Sequence, residues 1–105
     1  MTFKNKKKGI AAESRYLYSN WLGRYAGSRY YASLGIFDMI FIDKDLITRF
    51  VQLKYSSNGK PKISKKEIFD IQTWIDQNSL KGVSHIWVGI VLWQARTEPN
   101  EIRLN

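Results

Sequence analysis

At 105 residues the chain has room for one hydrophobic core and not for two. A hydrophobic share of 44% with 14% aromatics fits a packed domain and excludes a disordered one, while the absence of cysteine excludes disulfide frameworks and thiolate metal sites. His85 is the single histidine, which excludes a histidine-rich zinc site. The net charge of +8 is unevenly spread: residues 1–30 carry seven Lys or Arg against Glu13 alone, whereas residues 31–105 carry ten basic and eight acidic side chains. Such a basic end reads either as an electrostatic footprint for nucleic acid or as a solvated lysine tail that aids solubility.

In chain order, residues 1–6 read as a flexible basic arm, because Met1-Thr2-Phe3 runs straight into Lys4-Asn5-Lys6 with no apolar signal-peptide core. Residues 7–105 are expected to form a single domain. From about 8 to 25, Ile10, Leu17, Trp21 and Leu22 recur at helical spacing, and Gly27 reads as the stop. Residues 28–33 are aromatic-rich and short, fitting a strand. Residues 36–42 read as a buried strand, Asp43-Lys44-Asp45 as a turn, and residues 46–55 as a third strand. A loop rich in breaker residues spans 56–61. Ser64-Lys65-Lys66-Glu67 matches a helix capping box, opening a helix to about Asn78 with Ile68, Ile71, Trp74 and Ile75 on one face. Residues 85–93 form the last strong strand, and the final dozen residues add an edge strand or a tail. The apolar run 86–93, with Gly89 inside it, is far too short to span a bilayer, so a soluble, cytoplasmic protein is expected. The order α-β-β-β-α-β predicts an α/β fold, in which a mixed sheet is flanked by helices.

Four polar residues carry the chemistry. Asp38 interrupts the apolar run Gly35-Ile36-Phe37-Asp38-Met39-Ile40-Phe41-Ile42, and Gln52 and Lys54 interrupt Phe50-Val51-Gln52-Leu53-Lys54-Tyr55. Alternation puts Asp38 with Ile36, Ile40 and Ile42, opposite Phe37, Met39 and Phe41, and it puts Gln52 and Lys54 on one face. A hairpin around Asp43-Lys44-Asp45 is compatible with Asp38 lying beside Gln52 and Lys54. Glu13 borders the apolar stripe of the first helix. Phosphodiester hydrolysis needs a hard cation to neutralise the phosphate and acidify a water. Magnesium, or manganese, takes oxygen ligands of the kind offered by Asp38, the Gln52 amide and the Leu53 carbonyl. Lys54 would orient the water or stabilise charge developing on phosphorus, and Glu13 would hold a second metal position or a metal-bound water. The plainer alternatives stay open: an Asp38–Lys54 ion pair, an edge-strand glutamine, and a helix-surface Glu13 paired with Lys8 or Arg15.

Taken together, Lys7-Lys8-Gly9-Ile10-Ala11-Ala12-Glu13, Arg29-Tyr30-Tyr31-Ala32-Ser33, Asp38 and Gln52-Leu53-Lys54 resemble the archaeal Holliday-junction resolvases, a branch of the PD-(D/E)xK nuclease superfamily. The match runs over roughly residues 7–93 in element order. It implies a restriction-endonuclease-like fold and a magnesium-dependent endonuclease that makes paired nicks across a four-way DNA junction as a homodimer. Glu13, Asp38 and Gln52 would be metal-site residues and Lys54 the catalytic lysine. Arg29 and Ser33 would contact DNA or phosphate, with Ser33 beside the catalytic set. Lys7, Lys8 and Arg15 would add DNA contacts. Lys60 and Lys62, which with Lys65 and Lys66 surround the loop after the Gln-x-Lys strand, read either as phosphate contacts or as part of a solvated loop. No membrane and no small-molecule cofactor beyond the metal are implied, and the host would be archaeal or viral.

Three positions depart from that pattern. Gln52 stands where the family has Glu, keeping an oxygen ligand and removing a charge; some homing-endonuclease-like members also carry Gln-x-Lys. Phe37 replaces a frequent proline, and Ser14 follows Glu13 where the resolvases tend to carry Arg. A duplex-cutting relative and a DNA-binding relative without catalysis are the alternative readings. His85 is expected to be structural, and Trp21, Trp74, Trp87 and Trp93 to lie in the core or a dimer interface.

Overall fold

The computed structural model describes Ala12, Arg15 and Tyr16, the backbone of Ala26–Arg29, and residues 36–105. Strands β1 (Ala26–Arg29), β2 (Met39–Ile42) and β3 (Thr48–Ser56) are followed by a helix (Lys65–Gln77) and then by β4 (Ile86–Gln94) and β5 (Asn100–Arg103). The strands lie side by side in sequence order. β1, β2 and β3 form an antiparallel meander, β4 pairs parallel to β3 along its whole length, and β5 returns antiparallel to β4. A parallel neighbour cannot be reached by a tight turn, and the Lys65–Gln77 helix supplies the crossover. The fold is therefore mixed α/β, a mixed sheet carrying a helix.

The helix begins where the capping box predicts. Ser64 Oγ accepts from the Glu67 amide at 3.1 Å, and Glu67 Oε1 accepts from the Ser64 amide at 3.1 Å. Two of the four N-terminal donors of the helix are thereby satisfied. Ile71 and Ile75 are buried from the helix side, packed with Phe37, Val88 and Ile90, and Phe50 and Trp74 join them. The opposite face of the sheet carries a second cluster of Tyr16, Met39, Phe41, Val51, Trp87 and Val91, with Leu53 and Trp93 against it. Alternation along β3 splits its side chains between these two layers. Phe50 goes to the helix side, Val51 and Leu53 to the Tyr16 side, so Gln52 and Lys54 follow Phe50 toward the helix.

Several expectations need correction. Gly27 is not a helix stop, because it lies inside β1, paired with Phe41. The second strand begins at Met39, not at 36. The backbone bends at Ile36 and Asp38, and Phe37 swings to the helix side to pack against Phe50 and Trp74 with ring centroids 5.6 and 4.8 Å away. Strict alternation had put Phe37 with Met39 and Phe41. Of the edge strand or tail expected for the last dozen residues, the edge strand forms as β5, and the Asn105 side chain beyond it bonds back to the rest of the fold. Asn105 Oδ1 accepts from the Val88 amide at 2.8 Å, and its Nδ2 donates to the Leu80 and Ile86 carbonyls at 2.9 Å.

The arm expected over residues 1–6, most of the helix expected over 8–25 with Trp21, and residues 30–35 lie outside the described residues; Ala12, Arg15 and Tyr16 are helical. No helix among the described residues is long and apolar enough to cross a membrane.

Candidate active site

The register of β2 on β3 decides where Asp38 goes. Met39 is opposite Val51 and Ile40 opposite Phe50, so the chain just before β2 runs alongside Gln52 and Leu53. The Asp38 amide donates to the Val51 carbonyl at 2.8 Å, and Asp38 Oδ2 accepts from the Leu53 amide at 2.7 Å. A side-chain carboxylate thus takes the place of a backbone acceptor at Leu53. Amide and carbonyl of one strand residue leave on the same edge, so the Leu53 carbonyl emerges on the edge where Asp38 sits.

Gln52 and Lys54 flank Leu53 and project toward the first turn of the Lys65–Gln77 helix. There they meet Glu67. Gln52 Nε2 donates to Glu67 Oε2 at 2.9 Å, and Lys54 Nζ forms an ion pair with the same oxygen. The Asp38–Lys54 pairing considered from sequence is thus replaced by a Lys54–Glu67 pair. Partial burial pushes the Glu67 carboxyl up, but the Lys54 ammonium and the Ser64 donors outweigh it and hold the group below its ordinary 4.5. It is a carboxylate at neutral pH.

Glu67 was legible in the sequence only as the last residue of a capping box. A further signal was available: Gln-x-Lys lacks the acid that would balance its lysine. A crossover helix starts over the end of the strand that it follows, so an acid in its first turn can face that strand.

The oxygens that these neighbouring residues carry are of the kind that a hard cation takes. They are the Asp38 carboxylate, the Gln52 amide oxygen and the Leu53 carbonyl, with no sulfur or imidazole nitrogen among them. Among the described residues no three His, Cys, Asp or Glu side chains converge. A metal at this point would therefore draw on amide and backbone oxygens as well as on carboxylates. Of the other residues singled out from sequence, Glu13, Ser33, Lys7 and Lys8 lie outside the described residues. Arg29 ends β1 opposite Met39, one residue from Asp38 in the chain. Arg15 is on the other layer, its guanidinium 5.4 Å over the Tyr55 ring and 5.3 Å over Trp93. Lys60 and Lys62 are exposed on the connection between β3 and the helix. His85 is exposed at the opposite end of β3, where its carbonyl accepts from the Thr48 amide at 3.1 Å.

A second polar cluster lies apart from these residues. Asp43 is buried, accepts from the Asp45 and Ile47 amides, and pairs with Arg49 Nε at 2.9 Å. Arg49 also pairs with Glu101 of β5 and lies 5.1 Å over the Trp87 ring. Its bonds tie the β2–β3 turn to the far edge of the sheet, and this cluster is structural.

No family model and no curated protein matches the sequence. Among solved structures, the chain is similar to Hjc of Archaeoglobus fulgidus, a Holliday junction resolvase from an archaeal hyperthermophile. The TM-score is 0.55 at 13% sequence identity, over 93% of this chain and 74% of that one. At that identity the likeness is one of architecture: the chain has the fold of this archaeal resolvase.

Proposed function

We propose that the protein is a metal-dependent DNA endonuclease of the resolvase type, cutting branched DNA by phosphodiester hydrolysis. The observation that carries this reading is the seating of the Asp38 carboxylate on the Leu53 amide, between Gln52 and Lys54, within a resolvase fold. A magnesium or manganese ion at this point would neutralise phosphate charge and lower the pKa of a bound water. Asp38 supplies the charged ligand, with Gln52 and the Leu53 carbonyl as neutral ones. Lys54, partly exposed beside Glu67, would stabilise charge developing on phosphorus or orient the attacking water. By the family resemblance, Glu13 and Ser33 complete the catalytic set. Lys7, Lys8, Arg15, Arg29, Lys60 and Lys62 then hold the backbone of the DNA, mainly through phosphates. A homodimer suits the substrate, because two sites related by a two-fold axis match a junction with near two-fold symmetry.

The test is cleavage of a mobile four-way junction and of linear duplex by the wild type and by Asp38→Asn, with magnesium and with manganese. Asn at 38 keeps an oxygen for the Leu53 amide and removes the charge. The expected result is junction cutting by the wild type, with a loss of roughly 10²-fold in the variant while junction binding is retained. Preferential cutting of linear duplex would assign the protein to the duplex-cutting relatives instead. No cutting of either DNA by the wild type, with binding intact, would leave a non-catalytic DNA-binding protein.

A further inference from the structure

Gln52 poses a problem for the site that it occupies. A carboxylate offers two equivalent oxygens to a cation, whereas an amide offers one, and its other end carries two donors that repel a cation. A glutamine serves as a ligand only if something fixes which end faces the metal. Glu67 is placed to do this. An ionised carboxylate only accepts hydrogen bonds, so the end of the Gln52 amide that meets Glu67 Oε2 at 2.9 Å is Nε2. The ligating oxygen, Oε1, is then the end turned away from Glu67.

Glu67 is itself held rigidly. Oε1 accepts from the Ser64 amide, and Oε2 is shared by Gln52 Nε2 and Lys54 Nζ, so both oxygens are engaged by the helix cap and by β3. That arrangement suits an anchor rather than a metal ligand. It also restores the charge that a glutamate at position 52 would have brought, from the helix instead of the strand. We propose that Glu67 is the positioning residue of this site: it orients the Gln52 amide so that Oε1 faces the cation, and it holds Lys54 until a phosphate takes the ammonium. The inference rests on reading Asp38, Gln52 and Lys54 as a metal-dependent nuclease site.

The alternative is that Glu67 serves only the helix cap, and charge exchange between positions 52 and 67 separates the two roles. In Glu67→Gln, an amide oxygen kept on the Ser64 N–H turns the new NH₂ group toward Gln52. Gln52 must then flip and withdraw Oε1 from the metal position, although the cap survives, since Gln serves at this capping position as well as Glu. In the double variant Gln52→Glu with Glu67→Gln, the residue at 67 caps Ser64 through its oxygen and donates to the new carboxylate, which also pairs with Lys54. Every bond and the net charge are recovered.

The measurements are Mn²⁺ affinity by calorimetry on the DNA-free protein, the Gln52 side-chain amide resonances by NMR, and junction cleavage. Glu67→Gln is expected to weaken Mn²⁺ binding by roughly 10- to 100-fold and to shift the Gln52 amide resonances, with the melting temperature little changed. The double variant is expected to recover wild-type Mn²⁺ affinity. Unchanged Mn²⁺ affinity in Glu67→Gln overturns the proposal, and so does an equal loss in the single and double variants, which would make Glu67 itself a ligand. A wild type that binds Mn²⁺ in this Glu67-dependent way yet cuts no DNA would sink the nuclease reading and leave the positioning role standing. A wild type that binds no Mn²⁺ would remove both.

Discussion

Asp43 illustrates what a buried carboxylate requires in this protein. It is 1% exposed, and burial by itself pushes its carboxyl up. The Ile47 amide, the Arg49 guanidinium and the Asp45 amide together outweigh burial, and the group sits below its ordinary 3.8. The folded protein therefore binds this proton less readily than the unfolded chain. The stabilisation is complete above the unfolded value and is lost as pH falls below 3.8 through the folded one. Asp43→Asn keeps an oxygen for the turn amides and loses the ion pair, at a cost of about 2 kcal/mol at pH 7 by urea denaturation. Repeated at pH 3, the difference between wild type and variant should shrink; an equal difference at both pH values would mean that charge plays no part. Sequence reading treated Asp43 as a turn residue, and nothing in a turn motif announces burial. Asp38, Gln52 and Lys54 were legible because each interrupts an apolar run. Glu67 was not, because its partners are thirteen and fifteen positions upstream and its capping role already accounted for it.

At the scale of elements, periodicity located β3, β4 and the Lys65–Gln77 helix to within about two residues. Each has a long, unambiguous pattern or a cap that fixes its start. The short strands were harder. β1 has four residues, and its start at Ala26 puts a glycine where a helix stop was expected. β2 starts three residues later than the apolar run predicts, because aromatic packing of Phe37 against Phe50 and Trp74 overrides the alternation. Gly89 had no meaning in the sequence beyond interrupting an apolar run, whereas in the sheet it is a requirement. A Cβ there would stand 2.1 Å from the Ile102 carbonyl oxygen and 2.8 Å from the Trp87 ring. Gly89→Ala must therefore push β5 outward, displace the indole, or both. A loss of about 3 kcal/mol is expected, lowering the melting temperature by roughly 10 °C or more. A variant that melts with the wild type would show that the β4–β5 pairing is loose.

Across the whole molecule, the α/β class was legible from the order of the elements alone. An edge strand in the last dozen residues was expected as one of two outcomes, but its antiparallel pairing with β4 was not legible, because periodicity does not say which neighbour a short polar segment pairs with. The excess charge is concentrated in residues 1–30, while residues 31–105 are nearly balanced. Lys60 and Lys62 are exposed on the stretch leading from β3 to the turn that carries Glu67, and they are candidates for phosphate contact. If both touch phosphates, replacing them with Gln should reduce the slope of log K against log salt by about 2, since each contact contributes roughly 0.9. Fluorescence anisotropy on a labelled junction over a salt series measures this, and an unchanged slope would place the DNA elsewhere. The site has one further property that follows from its bonds. Asp38 reaches Leu53 and Gln52 reaches Glu67 across fifteen positions each, so these two hydrogen bonds both close within residues 38–67. The entropy of closing such loops grows slowly with length, and doubling them would add only about 0.6 kcal/mol. The β2–β3 hairpin and the first turn of the helix carry these bonds, and the helix is seated on Val88 and Ile90 of β4, so insertions or rebuilding at the outer edge beyond β4 can vary the surface of the protein while Asp38, Gln52 and Lys54 keep their register.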